Sequence, residues 1–471
     1  MLWHFAKLGI YFEKSTTFAK KNIMELIFNG TLVNEGTVFH GYVAVDEGVI
    51  VALGEGSPSE SLMSRADVVT DANGDFLLPG VIDEHVHLRE PGMTHKGDIA
   101  SETLAAVAGG MTSVMDMPNV APPTVTQEAL DDKLDRMART SLVNYSAYAG
   151  ATATNIDWLR TLDYSQVCGV KVFMGSSTGG MLLDDDQALQ RLFATVPTII
   201  AAHCEDEGII AHNREAWREV HGGYIPAAMH PQVRSREACL RSTRRAVDLA
   251  RAAGARLHVL HITTADELAL FRGELPLRDK RITAETCVGH LWFSDEDYPR
   301  LGNRIRVNPA VKTIADREAL RRAVAEGVVD VVATDHAPHL LSEKYENYLK
   351  IPSGMPLAQF SLLMMLELVR QGEFPFQRLV QVMCHAPAEL FAIERRGYLR
   401  PGYHADVVQV QRVDDGWTVA DSDVLSRCGW TPMVGAKLHH RVVRTWVNGH
   451  RVYDQGQVDK EHKGQRLMFK R

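Results

Sequence analysis

The sequence predicts an α/β fold: a (β/α)8 TIM-like barrel with a small β-sandwich domain formed by the N- and C-terminal segments. Three observations carry the prediction. Through the middle of the chain, apolar runs alternate with helical stretches, the pattern of βα units and a parallel sheet. Eight such runs can be counted, near 81–87, 112–116, 143–149, 168–174, 197–202, 256–262, 282–287 and 329–334, and eight parallel strands close into a barrel whose active site lies at the C-terminal strand ends. The two ends of the chain share another texture, short Val-, Ile- and Leu-rich strands broken by Asn-Gly and Glu-Gly turns, and are expected to pair with each other.

Taken in order, residues 1–23 are mildly basic but lack a clean apolar h-region and a small-residue cleavage site. They are expected as an extension upstream of the fold rather than a secretory signal. MELIFNGTLVNEG and GYVAVDEGVIVALGEG then open a composite β-domain, expected over 24–79 and 390–460, to which HADVVQVQRV (404–413) and VVRTWVNGHRVYDQG (442–456) return. The barrel takes 80–389. Within it, apolar Leu130, Leu134 and Met137 at i, i+4 and i+7 mark a helix after Thr126, and the helix after Ser235 stops at Gly254. LHVLHI (257–262) is a buried-strand run, and Thr264-x-x-Glu267 after it is a capping box expected to open a helix. GSSTGG (175–180) lacks the Gly-Lys-Ser/Thr ending of a phosphate loop and is expected as a loop at the barrel mouth.

The 471 residues are 45% hydrophobic, 23% charged and 7% aromatic, a soluble globular composition. A net charge of −8 argues against nucleic acid as the main partner, since a basic face is the usual footprint. No apolar run reaches the roughly 20 residues that span a bilayer. Six cysteines are scattered without a C-x-x-C pair, which reads as reduced thiols in an intracellular, cytoplasmic protein. The expected partner is a small-molecule substrate.

The stretch VIDEHVHLRE (81–90) carries the chemistry. Side chains alternate along a strand, so His85, His87 and, if the strand continues, Arg89 share one face. Further ligand types fall at predicted C-terminal strand ends: Lys171 on the fourth, His203 on the fifth, His261 on the sixth and Asp335 on the eighth. Imidazole and carboxylate suit zinc and related borderline metals. Four histidines and an aspartate exceed one open catalytic zinc and suggest a two-metal site with ions about 3.5–4 Å apart. A lysine ammonium beside two cations would be repelled. Addition of carbon dioxide to Lys171 gives a carbamate, anionic and able to bridge.

Each piece has a blander reading when taken alone. A lone His-x-His is more often structural, a lone lysine is more often at the surface or ion-paired, and Arg89 could pair with Glu90 or Glu84. His290 and His336 are assigned to packing or support of the site, and His385 to the start of a late barrel helix with Pro387 in its first turn.

HVHLREPG (85–92), MPN (117–119), VKVFMGSSTGG (170–180), AHCED (202–206), LHIT (260–263) and TDHAPH (334–339) together resemble the motif series of dihydroorotases, in the amidohydrolase superfamily. The resemblance runs over some 300 residues in matching order. It implies one zinc held by His85, His87 and Asp335, a second by His203 and His261, and both by carboxylated Lys171. It further implies that Arg89, Asn119 and His339 hold a substrate carboxylate, and that Asn308 and the IPSGMPL loop with Gly354 face a pyrimidine ring. RVNPAVKT departs here from the family's NPPLR-like stretch. The implied reaction is reversible closure of N-carbamoyl-L-aspartate to L-dihydroorotate in de novo pyrimidine (UMP) synthesis, through a metal-bridging hydroxide with Asp335 as the proton carrier. A homodimer is also implied. Allantoinases and dihydropyrimidinase- or hydantoinase-type amidases share the metal residues, but their neutral substrates offer Arg89 no carboxylate. An inactive dihydroorotase-like scaffold would be expected to lose ligands, and this chain has the full set.

Overall fold

A computed structural model describes residues 23–175 and 180–471. The N-terminal extension, apart from Ile23, and the centre of GSSTGG lie outside the described residues.

Eight parallel strands form the barrel: Val81–Val86, Met111–Asp116, Asn144–Gly150, Val170–Phe173, Ile199–His203, Arg256–Val259, Ile282–Cys287 and Val331–Ala333. The third breaks at Tyr148: Asn144–Ala147 pairs with the second strand and Ala149–Gly150 with the fourth. Pairing then runs unbroken from the fourth strand to the eighth. The eighth returns to the first through a single bridge, Val86 to His336, where the His87 N–H donates to the His336 carbonyl at 2.8 Å. Asp83 reinforces this seam by accepting the Thr334 hydroxyl at 2.6 Å.

The helices obey the local signals. Gln127–Thr140 starts from Thr126, whose side chain accepts the Ala129 N–H, and buries Leu130, Leu134 and Met137. Arg236–Ala253 is capped by Ser235 and ends on Gly254 at φ +63°, a left-handed conformation that glycine adopts without steric cost. The sixth unit departs from expectation. Thr264 and Glu267 do exchange hydrogen bonds, but only a single 3-10 turn, Glu267–Leu270, follows. Glu267 is drawn inward by the Thr243 hydroxyl at 2.7 Å, and the backbone turns extended at Phe271 (φ −111°, ψ 159°), which ends the turn.

The two chain ends meet in one sheet. From Gln457–Val458 the path runs through His450–Asp454, Lys437–Val447, Val407–Thr418, Phe76–Pro79, Glu25–Asn34 and Thr37–Asp46 to Val49–Glu55, with Val68–Asp71 beside Glu25–Asn34. Trp446 and Glu25 sit three strands apart on this path, yet the indole N–H donates to the Glu25 carboxylate at 3.0 Å. In a flat sheet they would be separated by about 14 Å, so the sheet curls upon itself. Ile27, Leu32, Val43, Ile50, Val407 and Trp446 fill the fold of that curl.

The last residues form the floor of the barrel. Leu467 and Phe469 are buried with Ile82, Met115, Ile199 and Val331, and their backbone bonds to Tyr145 and Ser165 at the N-terminal side of the strands. This tail lies beyond residue 460, where the composite β-domain is expected to end. All six cysteines are buried and free of disulfides. Among the described residues, no helix is long and apolar enough to cross a membrane.

Candidate active site

A cleft of about 130 Å³ opens at the C-terminal strand ends. His85, His87, Arg89, Asn119, Lys171, His203, His261, Asn308, Asp335 and His339 all line it, joined by Phe173, Ala337, Pro352 and Ser353. Gly354 stands just behind. A Cβ there would lie 2.5 Å from the Ala337 carbonyl and 3.0 Å from the His339 ring, so only glycine allows this approach.

His85 and His87 both turn their Nε2 atoms to Asp335 Oδ1, at 3.3 and 3.0 Å. Both imidazoles face one side, His85 from the first strand and His87 from the residue just past its end at Val86. Arg89 reaches the cleft by another route. The strand ends at Val86, and Arg89 takes a left-handed conformation, φ +67°. His261 (φ +41°) and Asp335 (φ +48°) do the same just past their strands. Such backbone costs on the order of 1–3 kcal/mol per residue and is retained where the surroundings enforce it.

His203 Nδ1 lies 2.9 Å from His261 Nε2. On its far side, His203 Nε2 contacts Glu205 at 2.9 Å, and Arg234 grips Glu205 with Nε and Nη2 at 3.0 and 2.6 Å. A neutral His203 that donates to Glu205 keeps a bare Nδ1 facing His261. His261 Nδ1 is buried and has no partner among the described residues. A His261 Nε2–H donated to that Nδ1 closes the pair and leaves His261 Nδ1 as a bare, buried acceptor, and this orphaned nitrogen, with His85, His87 and Asp335 converging in the same cleft, is a donor set that fits a borderline divalent metal.

Lys171 is 1% exposed, and no carboxylate among the described residues forms an ion pair with it. Its ammonium lies 4.6 Å from the Phe173 ring centroid. Burial lowers it to about 8. Burial also takes His87 down to about 4 and His261 well below the imidazole range. Asp335 resists: burial pushes it up, yet His85, His87 and Lys171 hold it below the usual carboxylate range.

Arg89 pairs with neither glutamate that the sequence offered. Glu84 contacts His258 at 3.1 Å, and Glu90 takes Arg136 at 3.3 Å. Arg89 Nε instead donates to the Pro338 carbonyl at 2.9 Å, and burial lowers its pKa to about 10. Asn308 Oδ1 is buried in the cleft wall without a partner among the described residues.

The supporting histidines have structural partners. His290 Nε2 contacts the Pro309 carbonyl at 3.0 Å, next to Asn308. His336 points away from Asp335 and contacts Glu102 at 2.9 Å. His385 sits in a π-turn, Gln381–His385, just before the helix Ala386–Phe391, and its Nε2 accepts the Glu35 N–H, tying that helix to the β-domain.

Residues 76–452 match the amidohydrolase family, and the chain belongs to that family. The dihydroorotase of Halobacterium salinarum is 36% identical over 381 residues, 78% of this chain and 85% of its own length. The allantoinase of Bacillus velezensis is 29% identical, over 90% and 92%. The structure of L-hydantoinase (dihydropyrimidinase) from Arthrobacter aurescens superposes with a TM-score of 0.88 at 26% identity, covering 94% of this chain and 99% of that one. The protein is thus a hydrolase acting on cyclic amides, with a small-molecule substrate.

Proposed function

We propose that the protein is a dihydroorotase of de novo pyrimidine synthesis, acting in the cytoplasm with two zinc ions and carboxylated Lys171. The observation that carries the substrate reading is the position of His339. Its Nδ1 lies 3.1 Å from Lys96 Nζ and its Nε2 2.9 Å from Arg89 Nη2, while Nε2 also faces the Ser353 carbonyl at 3.1 Å. Burial and the surrounding cations keep the imidazole neutral, so it has one lone pair and one N–H. Accepting from Lys96 uses the lone pair, and the Nε2 hydrogen is given to the Ser353 carbonyl, so the ring has nothing to offer the Arg89 Nη2 hydrogens that face it. A carboxylate placed there takes those hydrogens and compensates the buried guanidinium. A neutral ring supplies no such charge.

His85, His87 and Asp335 would hold one zinc, His203 and His261 the other, and carboxylated Lys171 both. Bound there, the ions supply Lewis acidity and a water acidic enough to ionise near neutral pH. The protein's own groups do the rest. Arg89, Asn119 and His339 fix the substrate carboxylate, and Asn308 with the Gly354 loop borders the ring. In hydrolysis, water oxygen adds to the ring amide carbonyl, the carbon–nitrogen bond breaks, and Asp335 carries the water proton to the leaving nitrogen. In the reverse direction, the ureido nitrogen adds to the side-chain carboxyl carbon, Asp335 carries its proton to a carboxyl oxygen, and the carbon–oxygen bond breaks to release water. Holding one end of this open chain at Arg89 converts closure into an oriented, unimolecular step.

The test is turnover of L-dihydroorotate beside allantoin, hydantoin and dihydrouracil by the zinc-loaded enzyme. Dihydroorotate alone should be hydrolysed. Preference for a neutral ring would end the substrate assignment.

A further inference from the structure

Two carboxylates grip the cleft histidines from behind, and they are wired differently. Glu205 touches one ligand candidate, His203, and its charge is matched by Arg234. Glu285, on the seventh strand, touches two. Its Oε1 lies 3.0 Å from His85 Nδ1 and accepts the His261 backbone N–H at 2.8 Å.

We propose that Glu285 is a positioning residue that couples the two halves of the metal centre, setting His85 on one side and His261 on the other. The inference rests on the two-metal reading above. On the first side, an Nδ1–H given to Glu285 leaves His85 Nε2 bare toward Asp335, which fixes the tautomer a ligand needs and strengthens its basicity. On the second side, the His261 ring has no anchor beyond His203, because its Nδ1 is unpartnered among the described residues. The bond from its backbone N–H to Glu285 therefore secures a residue whose φ of +41° demands support. The Cys287 thiol, 3.3 Å from Oε1, adds a third donor and holds the carboxylate in place. One side chain from the seventh strand thus reaches the first and sixth strands together.

The test is competitive zinc titration against a chromophoric chelator on wild type, Glu285→Gln, Glu285→Ala and Glu205→Gln, with the visible spectrum of the cobalt-loaded proteins as a second readout. Wild type should bind two equivalents. Both Glu285 variants should weaken both equivalents, the alanine variant by about tenfold to a hundredfold, whereas Glu205→Gln should weaken one. Cobalt bands of both sites should shift in the Glu285 variants. If circular dichroism finds the alanine variant unfolded, the glutamine variant, which preserves volume, decides the matter. Glu285 variants with both affinities intact, or with a single equivalent weakened, would overturn the coupling. A wild type that binds fewer than two equivalents would overturn the two-metal reading beneath it. No substrate enters the experiment, so failure of the dihydroorotate assignment is distinguishable from failure here.

Discussion

Arg89 Nη2 stands 2.9 Å from His339 Nε2, a ring nitrogen that also faces the Ser353 carbonyl at 3.1 Å. With the ring hydrogen taken by that carbonyl, the guanidinium face toward His339 is left for an anionic oxygen that the imidazole cannot supply. Arg89→Ala should reduce kcat/KM for L-dihydroorotate by roughly ten- to a hundredfold, the equivalent of about 1.5–3 kcal/mol for hydrogen bonds to a charged group. Arg89→Lys should recover only part, since an ammonium lacks the planar fork. Steady-state kinetics check both, and equal losses on a neutral ring would show that Arg89 serves the cleft rather than the carboxylate.

Asp335 is the oxygen on which His85 and His87 converge. Asp335→Asn keeps the shape and removes the base, so kcat should fall by about 10²- to 10⁴-fold. Metal analysis of the variant separates loss of proton transfer from loss of a ligand. A variant with full metal content and near-normal kcat would remove Asp335 from the mechanism.

Glu102 ties the helix Ile99–Ala108 to the later chain, accepting from the Ser426 hydroxyl at 2.5 Å and the Arg427 N–H at 3.1 Å while contacting His336. Burial pushes its carboxyl up, but His336, Ser426 and Ser101 prevail and hold it below the ordinary 4.5. A folded value below the unfolded one means that its stabilisation is complete above about pH 4.5 and fades as pH drops through the folded value. Glu102→Gln should therefore lower Tm at pH 7, by the equivalent of about 1–3 kcal/mol, and the gap from wild type should narrow in acid. Thermal melts at pH 7 and pH 4 test this; a gap that widens in acid would contradict it.

Phe469 is 2% exposed beneath the barrel. Phe469→Ala should cost about 3–5 kcal/mol of stability through the cavity it leaves. The cleft lies at the opposite end of the strands, so kcat/KM of the folded fraction should be unchanged. Denaturant melts and kinetics on the same preparation check the pair of outcomes.

Much of this arrangement is legible in the amino-acid sequence. Period-two spacing put His85 and His87 together, and apolar runs that end in His203 and Asp335 put those groups at one rim. Their convergence followed from barrel geometry alone. The reading was weaker where contacts join distant strands. Glu285 and His85 are 200 residues apart, and ITAETC looks like any buried strand with an acidic residue in it. Glu205 lay inside the quoted AHCED, but its meaning depends on Arg234, which no spacing rule links to it. Thr264-x-x-Glu267 misled because the capping bonds form whether or not a helix propagates. Leu467 and Phe469 alternate over too few residues to announce a strand, and their burial depends on the barrel floor they cover.

The curled sheet also sets the order of assembly. Phe76–Pro79 pairs with Val407–Val410, and Glu25 is reached by Trp446 and Arg451, so the sheet joins residues separated by more than 300 positions. A ribosome delivers the Glu25–Asn34 and Phe76–Pro79 strands long before their C-terminal neighbours exist. Until residue 407 emerges, the Phe76–Pro79 edge is an open template for any passing strand. Compaction of the intervening barrel brings the two halves of the sheet within reach of each other and shortens the loop that their pairing must close.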